Sequence, residues 1–411
     1  MTIGPPVQST PQPETSRRGT AEQADSARQI LLTVFCTLLT FLAVGMPLAV
    51  LPPWVDHDLG FSAVIAGLAV SSQYAATVVS RAMVGPMADT AGPRRSILLG
   101  FGCCMVSGVL LFGASCLQAK PFAALTVMFM SRIALGFCES WVSTSAIAWA
   151  IGRTGPGQTA RIISWNGIAT YGGIGAGAPI GVWLVHQGGI GAIGAAVAVL
   201  GLFGFLFTLP QAPTATIAEA RLPFRTVFLR VAPHGMVLGA GAIGFGVIAA
   251  FVTLFYADRG WDGAWVALTL FGAAFILSRL LFLNSVARYG GLTVTGLSLS
   301  VELLGLSLLW IAPNPLVADL GAALTGFGFA MVFPALGVIV VDLVPAQNRG
   351  AAIGAFSMFT DIALGLTGPV AGVLATDVGY ATPFLFGALA IIAGLVLIAW
   401  IVSRSGRTAA A

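Results

Sequence analysis

The sequence is short of charge: only 8% of its 411 residues are Asp, Glu, Lys or Arg, and Lys120 is its sole lysine. Soluble domains are about 25% charged, because a chain folded in water covers much of its surface with polar groups. Hydrophobic residues make up 57% of the chain, and its mean hydropathy is +0.94. These values exclude a soluble globular protein and a disordered chain, and they favour a protein folded mostly in lipid.

Metal-binding and redox-active residues are also scarce. The five cysteines lie within apolar runs and none forms a CxxC pair, so we expect small buried side chains and neither a disulfide framework nor a zinc site. The three histidines do not form an HExxH motif, and no nucleophile is paired with a base. The sequence therefore predicts a protein that is not an enzyme and that binds no metal or cofactor.

Twelve apolar stretches are each long enough to cross about 30 Å of hydrocarbon as a helix, which takes about 20 residues. We therefore expect an all-α polytopic membrane protein with twelve transmembrane helices. The predicted spans are 30–52, 63–84, 96–117, 122–151, 163–185, 189–210, 232–256, 264–286, 292–312, 317–341, 352–376 and 381–403.

Polar segments divide these spans into two groups of six. Residues 1–28, rich in Pro, Ser, Thr and Gln, are predicted to form a disordered tail. Residues 211–230 contain two prolines and three arginines and are predicted to be a linker. The expected units are then an N-terminal six-helix bundle at 29–210, a C-terminal bundle at 231–403 and a short tail at 404–411.

Basic residues are distributed unevenly among the connections. If both termini are cytoplasmic, sixteen basic residues lie on the inner side or at inner helix ends, whereas Lys120 and Arg259 lie outside and Arg132 lies within a span. Because positively charged residues accumulate in cytoplasmic loops, we predict that both termini and the linker are cytoplasmic.

The two halves contain matching short motifs at nearly constant offsets. A parallel duplication of this kind, with a substrate site between the halves near the midplane, is a transporter architecture. At an offset of 198, Ser80-Arg81 matches Ser278-Arg279 and Gly92 matches Gly290; near an offset of 190, 135–137 matches 325–327 and 178–181 matches 368–372.

The loop after span 2 reads GPMADTAGPRR over residues 85–95. It resembles the signature loop of the major facilitator superfamily, in which glycine, an acid and a second glycine precede two basic residues. The resemblance implies a gate between the halves, in which the acid faces the positive N-terminal end of span 11. The predicted gating residues are Gly85, Asp89, Gly92, Arg94, Arg95 and Arg349.

Span 4 carries Arg132 and Glu139 seven residues apart, hence on one helix face, in a pattern similar to the superfamily's span-4 arginine motif. A charge at the centre of a span costs roughly 2.5–3.5 kcal/mol on insertion scales, so it needs a cavity or a partner. We expect Glu139 to bind the coupling proton, because burial favours its neutral form whereas Arg132 favours its charged form. Asp361 in span 11 is the second candidate, Glu302 in span 9 is expected to be structural, and a purely structural ion network is the alternative.

Other residues within the spans are candidates for contact with a substrate. Span 5 contains a glycine-rich stretch ending in Ala178-Pro179, which resembles the motif of proton-coupled exporters except that glycine usually precedes the proline; helix packing is the alternative. The GxGxxG pattern at 239–244 has no preceding strand, so no dinucleotide site is expected. The predicted substrate-binding residues, each with packing as the alternative role, are Gln73, Tyr74, Trp141, Trp165 and Asn166.

Residues 30–403 thus resemble a twelve-span transporter of the major facilitator superfamily, built from two pseudo-symmetric six-helix bundles. The segments 135–140, 164–167, 333–338 and 361–365 resemble a bacterial branch often called arabinose-efflux-type permeases. The resemblance implies a monomeric secondary transporter of the bacterial inner membrane whose partners are a small molecule and protons, not nucleic acid. Proton-coupled export is the first expectation, import by symport or uniport is the alternative, and a non-transporting receptor is disfavoured.

Overall fold

Long helices make up the computed structural model, which describes residues 13–214, 223–282, 284–345 and 348–409. Side chains are described at all of these positions except 13–25, 82, 85–91, 156, 159–160, 349–350 and 404–409. The α-helices are α1 Pro13–Leu48, α2 Leu51–Pro53, α3 Ala63–Ala91, α4 Pro93–Cys116, α5 Pro121–Thr154, α6 Thr159–Thr208, α7 Phe224–Asp258, α8 Ala264–Leu281, α9 Ser285–Tyr289, α10 Gly291–Ile311, α11 Pro315–Phe329, α12 Val332–Asp342, α13 Arg349–Val378 and α14 Thr382–Ala409. A π-helical turn at Trp54–Asp58 follows α2, and a 3-10 turn at Pro156–Gln158 precedes α6.

Proline and asparagine determine where several helices begin. Pro93, Pro121 and Pro315 stand in the first turns of α4, α5 and α11, where a missing backbone N–H leaves no helical hydrogen bond unmade. Asn314 also caps α11, because its side-chain oxygen accepts a hydrogen bond from the backbone N–H of Val317 at 3.1 Å. These residues therefore mark the starts of the three helices.

Two glycines at equivalent positions of the repeat form the turns that lead into α4 and α10. Gly92 has φ +86° and ψ 152°, and Gly290 has φ +81° and ψ 151°, a conformation that residues with a Cβ rarely adopt. The two glycines are 198 residues apart. They therefore share one backbone conformation at the offset that the sequence motifs predict.

Eleven helical segments in the described part of the chain are long and apolar enough to cross a membrane. The segment Arg161–Thr208 has 48 residues, about 72 Å if straight, which is more than twice the roughly 30 Å of hydrocarbon. It breaks at Gly188 and Gly189, whose backbone angles are not helical, and its two arms pack on α1 and α4. The predicted spans 163–185 and 189–210 lie on these arms, and twelve crossings remain a prediction.

Three predicted boundaries differ from the helices. α1 begins at Pro13, so the described part of the predicted disordered tail is helical, and α14 continues through most of the predicted C-terminal tail to Ala409. α7 begins at Phe224, inside the predicted linker, of which 215–222 lie outside the described residues. A helix that an apolar span has already nucleated extends at little cost, so polar composition did not mark its ends.

The cysteines are less uniformly buried than expected. Cys36, Cys104 and Cys138 are buried, Cys103 is half-buried, and Cys116 is exposed at the end of α4. All five are free thiols. Among the described residues, no group of three or more His, Cys, Asp or Glu is placed to hold a metal ion.

The two halves, α1–α6 and α7–α14, meet along two seams. In the first seam α3 packs on α13, and in the second α6 packs on α8. Small residues line both: a Cβ added at Gly67 would lie 2.9 Å from the carbonyl carbon of Gly368, and one added at Gly175 would lie 3.1 Å from the Cα of Gly272. The absence of side chains at these positions lets the backbones approach closely.

Candidate functional site at the seams between the halves

An ion pair between Arg81 of α3 and Asp361 of α13 bridges the halves at the first seam. Nε of Arg81 donates to Oδ2 of Asp361, Nη2 donates to Oδ1 at 3.4 Å, and Nη1 donates to Oγ1 of Thr144 at 3.0 Å. The two side chains are 15% and 4% exposed. Paired hydrogen bonds of this kind satisfy buried charges on both partners. Sequence reasoning treated Arg81 as a basic residue at a helix end and as a member of the internal repeat, and it missed this pairing.

Glu139 of α5 is buried against a neutral partner. The side-chain amide of Gln73 donates to Oε2 of Glu139 at 2.6 Å, and Glu139 is 4% exposed. Gly136, one turn earlier, lets α3 approach, since a Cβ there would overlap the backbone carbonyl of Gln73. Thr77 of α3 adds a hydrogen bond to the carbonyl of Gly136 at 3.1 Å. Close packing of α3 on α5 therefore holds the amide against the carboxyl group.

Arg132, on the same helix as Glu139, contacts α3 instead of pairing with the acid. Its Nε donates to the carbonyl of Ala69 at 3.2 Å, and its Nη2 has no hydrogen-bond partner among the described residues. Electrostatic interactions connect Glu139 to Arg132, Arg81 and Asp361. The three predicted proton-coupling residues thus belong to one network, and Arg81 is a further member.

The predicted substrate-binding residues do not form one cluster. Gln73 and Tyr74 are buried in α3 beside Glu139. Trp141 is half-buried on α5 against Gly100 of α4, and its indole N–H has no hydrogen-bond partner within the described part of the chain. Trp165 is 37% exposed near the start of α6, and the side-chain oxygen of Asn166 accepts a hydrogen bond from a threonine of α1 at 2.7 Å. The structure therefore places Gln73 and Tyr74 with the charged network, whereas Trp141 lies on the α4 side of α5 and the Asn166 side chain lies against α1.

The two seams contain similar hydrogen bonds, whose donors are related by the internal repeat and whose acceptors differ by one residue in register. Oγ of Ser71 donates to the carbonyl of Leu364 at 2.9 Å across the first seam. Oγ1 of Thr269, 198 residues after Ser71, donates to the carbonyl of Gly175 at 3.2 Å across the second. The offset found in the sequence therefore relates α3 to α8 in three dimensions.

The polar network of the first half has an aromatic counterpart in the second. At the offsets of the repeat, Gln73 corresponds to Phe271 and Glu139 corresponds to Phe329. The rings of Phe271 and Phe329 lie 6.1 and 5.8 Å from the ring of Tyr171. The two halves share a backbone plan but differ in chemistry at this position.

Glu302 lies apart from this network. It is fully buried in α10, and neither of its carboxyl oxygens has a hydrogen-bond partner among the described residues. The glycine pattern at 239–244 of α7 packs on it: a Cβ at Gly241 would lie 3.3 Å from Oε2, and one at Gly244 would overlap Oε1. This pattern is a helix-packing surface, which explains the GxGxxG motif without a nucleotide.

The glycines of span 5 also pack helices. A Cβ at Gly177 would lie 2.8 Å from the Cα of Gly45 in α1, and one at Gly173 would lie 2.9 Å from the backbone nitrogen of Leu42. These contacts lie inside the first half, whereas Gly175 of the same stretch packs against Gly272 of α8 in the second seam. They fit the packing interpretation of this motif.

The predicted gate is described only in part. Arg94 donates to the backbone carbonyl of Leu209 at the end of α6, and Arg95 is exposed. The side chains of three predicted members lie outside the described residues: Gly85, Asp89 and Arg349. The contact expected between Asp89 and the start of α13 therefore stays a prediction.

The chain matches a family profile and curated relatives along most of its length. A sequence profile of the Major Facilitator Superfamily matches residues 33–317 and 264–411. An uncharacterized MFS-type transporter of Pseudomonas aeruginosa strain LESB58 is 49% identical over 395 residues, which cover 95% of this chain and 98% of the relative. An uncharacterized MFS-type transporter of Burkholderia pseudomallei strain 1106a is 47% identical over 379 residues, covering 92% and 93%.

Two solved structures share the fold. The crystal structure of the nucleoside transporter NupG aligns with a TM-score of 0.64 at 21% identity and covers 90% of this chain and 98% of its own. The crystal structure of the human organic anion transporter MFSD10 aligns with a TM-score of 0.65 at 16% identity and covers 91% and 99%. At these identities the likeness concerns the fold alone.

Proposed function

We propose a mechanism from one established premise: the chain belongs to the Major Facilitator Superfamily and is a multi-pass, non-enzymatic membrane transporter. In our proposal it is a secondary active transporter that exports a small organic molecule by alternating access in exchange for protons. The observation that carries the proposal is the buried Arg81–Asp361 pair across the first seam, which interacts electrostatically with Glu139.

Glu139 is the acid that we assign to the coupling proton. It is buried against the amide of Gln73, and a buried carboxylate charge without a cationic hydrogen-bond partner is costly. A proton removes that charge while the halves are closed over the site. When the halves open and water reaches the site, Glu139 releases the proton and becomes negatively charged, and the nearby Arg132 stabilises that charge.

We assign to Asp361 the coupling between proton binding at Glu139 and closure of the first seam. A charged Glu139 repels the Asp361 carboxylate and attracts Arg81, so it weakens the pair that holds α3 on α13. A neutral Glu139 leaves Arg81 to Asp361 alone and strengthens the seam. Proton binding from outside would therefore favour closure of the outer side, which is the step that a proton-driven exporter needs.

The remaining assignments rest on sequence. The charge distribution supports cytoplasmic termini in a bacterial inner membrane. The apolar spans support twelve crossings in two bundles that are joined by a linker at 211–230. The arabinose-efflux-type segments support export. We assign the gate to the loop at 85–95 with Arg349, and we propose that the protein acts as a monomer.

Proton flux in liposomes tests this function. The purified protein is reconstituted with a pH-sensitive dye inside and screened against sugars, amino acids, nucleosides and drugs. We expect a cargo whose addition moves protons, and we expect Glu139→Gln to abolish that movement while leaving cargo counterflow intact. Glu302→Gln, which removes a buried acid outside the network, is the matched control and should retain both activities.

The outcomes separate the alternatives. Unchanged proton-linked transport in Glu139→Gln would contradict the assignment of the proton to this residue. Protons and cargo moving in the same direction would indicate a symporter, and cargo movement without protons would indicate a uniporter. Either result would replace the exporter proposed here.

A further inference from the structure

We propose that Arg279 binds a carboxylate of the cargo, so that the transported molecule is a small organic anion. The inference rests on the proposed transport function, because it names the substrate class that the transporter carries. It is supported by an unpaired charge at the second seam, by the internal repeat and by the neighbouring aromatic rings.

Arg279 is a buried cation that has no carboxylate counterion in the described part of the chain. It is 4% exposed in the last turn of α8, and its Nε donates to the carbonyl of Ala330 at 2.8 Å. Its Nη1 has no hydrogen-bond partner, and no carboxylate lies within 4.0 Å of it among the described residues. The guanidinium carbon lies 5.1 Å from the ring centroid of Phe275, a contact that offsets only part of the cost of a buried charge.

The guanidinium faces the other half of the protein. A Cβ added at Gly167 of α6 would lie 2.8 Å from Nη1 of Arg279 and 3.0 Å from Cζ. Any side chain at this position would displace the guanidinium, so Arg279 can occupy the seam because residue 167 is glycine. Trp165 and Asn166, both predicted to contact substrate, immediately precede Gly167. Arg279 is thus the C-terminal half's contribution to a site between the halves.

The internal repeat indicates which group is missing. Arg81, the equivalent of Arg279, pairs with Asp361, but at the offset of the proline motifs the equivalent of Asp361 is Tyr171. Tyr171 is stacked on Phe275 with ring centroids 3.9 Å apart. The second seam therefore contains the guanidinium without the carboxylate, and a carboxylate of the cargo would supply it.

The chemistry of the site favours a small monocarboxylate. The planar guanidinium fork matches a planar carboxylate and binds it with two hydrogen bonds. The rings of Tyr171 and Phe275 beside it can pack against an apolar or aromatic body. When the seam opens, such an anion can reach the free Nη1 without displacing the bond to Ala330.

Thermal unfolding in detergent with a thiol-reactive dye tests binding directly. Unfolding exposes the buried thiols of Cys36, Cys104 and Cys138, and Cys116→Ser removes the exposed thiol that would react beforehand. The probes are benzoate and propionate, compared at equal ionic strength with benzamide and propionamide. A bound ligand raises the unfolding temperature, so we expect a rise with the carboxylates and none with the amides.

Variants distinguish recognition from a structural role. In Arg279→Gln the affinity for the carboxylates should fall roughly 10- to 100-fold, as for loss of a charged hydrogen-bond partner. Glutamine retains a donor for the carbonyl of Ala330, so the unliganded protein should unfold near the wild-type temperature. Gly167→Ala should also weaken binding, because its methyl would displace the guanidinium. Arg259→Gln, which removes an exposed arginine stacked on Phe255, is the matched control and should bind normally.

Three results would overturn the assignment: no stabilisation by either carboxylate, equal stabilisation by acids and amides, or equal stabilisation of Arg279→Gln and the wild type. These results are independent of the proton assay. A protein that moves protons with an uncharged cargo would retain the proposed function and lose this assignment. Carboxylate binding that requires Arg279 but moves no protons would support this assignment and contradict the proposed proton-coupled function.

Discussion

Replacing Asp361 by asparagine tests how strongly the Arg81 ion pair holds the first seam. Asparagine keeps the size of the side chain and an oxygen that accepts from Arg81, but it removes the negative charge. Arg81 then remains largely buried as a cation without a carboxylate. We expect α3 and α13 to separate more often along the part of the first seam that runs from this pair through Ser71 and Gly67, which the predicted topology places toward the outer side.

The size of the effect follows from burial and from the bonds that remain. Removing one partner of a fully buried ion pair costs about 3–5 kcal/mol. Here Arg81 is 15% exposed and keeps its hydrogen bond to Thr144 at 3.0 Å, so we expect a smaller loss. A loss of about 1.5–3 kcal/mol, typical of a hydrogen bond to a charged group, would shift the balance between closed and open seams about 10- to 150-fold.

Spin labels at the ends of the two halves measure this shift. Asp58→Cys and Asp262→Cys place labels at exposed positions in different halves, with Cys103 and Cys116 replaced by serine. Double electron–electron resonance should show a longer distance gaining population in Asp361→Asn. Glu302→Gln removes a buried acid from inside one half and is the matched control; it should leave the distances unchanged.

A second arrangement of the same charges provides a further check. The double variant Arg81→Asp with Asp361→Arg restores an ion pair with reversed polarity, so part of the short-distance population should return. An unchanged distribution in Asp361→Asn, or an equal change in Glu302→Gln, would show that this pair does not hold the seam.

Two further predictions concern packing and the gate. Gly136→Ala should lower the free energy of unfolding by about 1–3 kcal/mol, because the added Cβ would overlap the carbonyl of Gln73. Gly113→Ala is the control: its Cβ would lie 4.0 Å from the nearest side chain, so the substitution should be neutral or stabilising. Thermal unfolding compares the two variants. Asp89→Asn should remove a contact with the N-terminal end of α13 that contributes about 0.3–2 kcal/mol. The variant should therefore favour the inward-open state and slow turnover, while its substrate affinity changes only a few-fold. Ala287→Asn, at the equivalent position of the second half, is the control; unchanged cysteine accessibility and turnover in Asp89→Asn would show that the loop only sets the topology and does not gate.

Features that depend on neighbouring residues were predictable from the sequence. Each apolar span is a local property of about 20 residues, and the motif at 85–95 is a short run, so the superfamily and its helical fold could be predicted before any contact was known. Charges within spans are rare and costly, which singled out Arg132, Glu139 and Asp361. The internal offset also predicted that Arg81 and Arg279 occupy equivalent positions.

The partners of these charges were decided only by tertiary structure. Arg81 meets Asp361 across 280 residues and Gln73 meets Glu139 across 66, and no local pattern encodes such distances. Equivalent positions also received unequal partners, since Arg81 has a carboxylate and Arg279 has none among the described residues. Whether a buried charge is neutralised depends on which helix packs against it, and that choice is made by the close approach of glycine-lined backbones far apart in sequence.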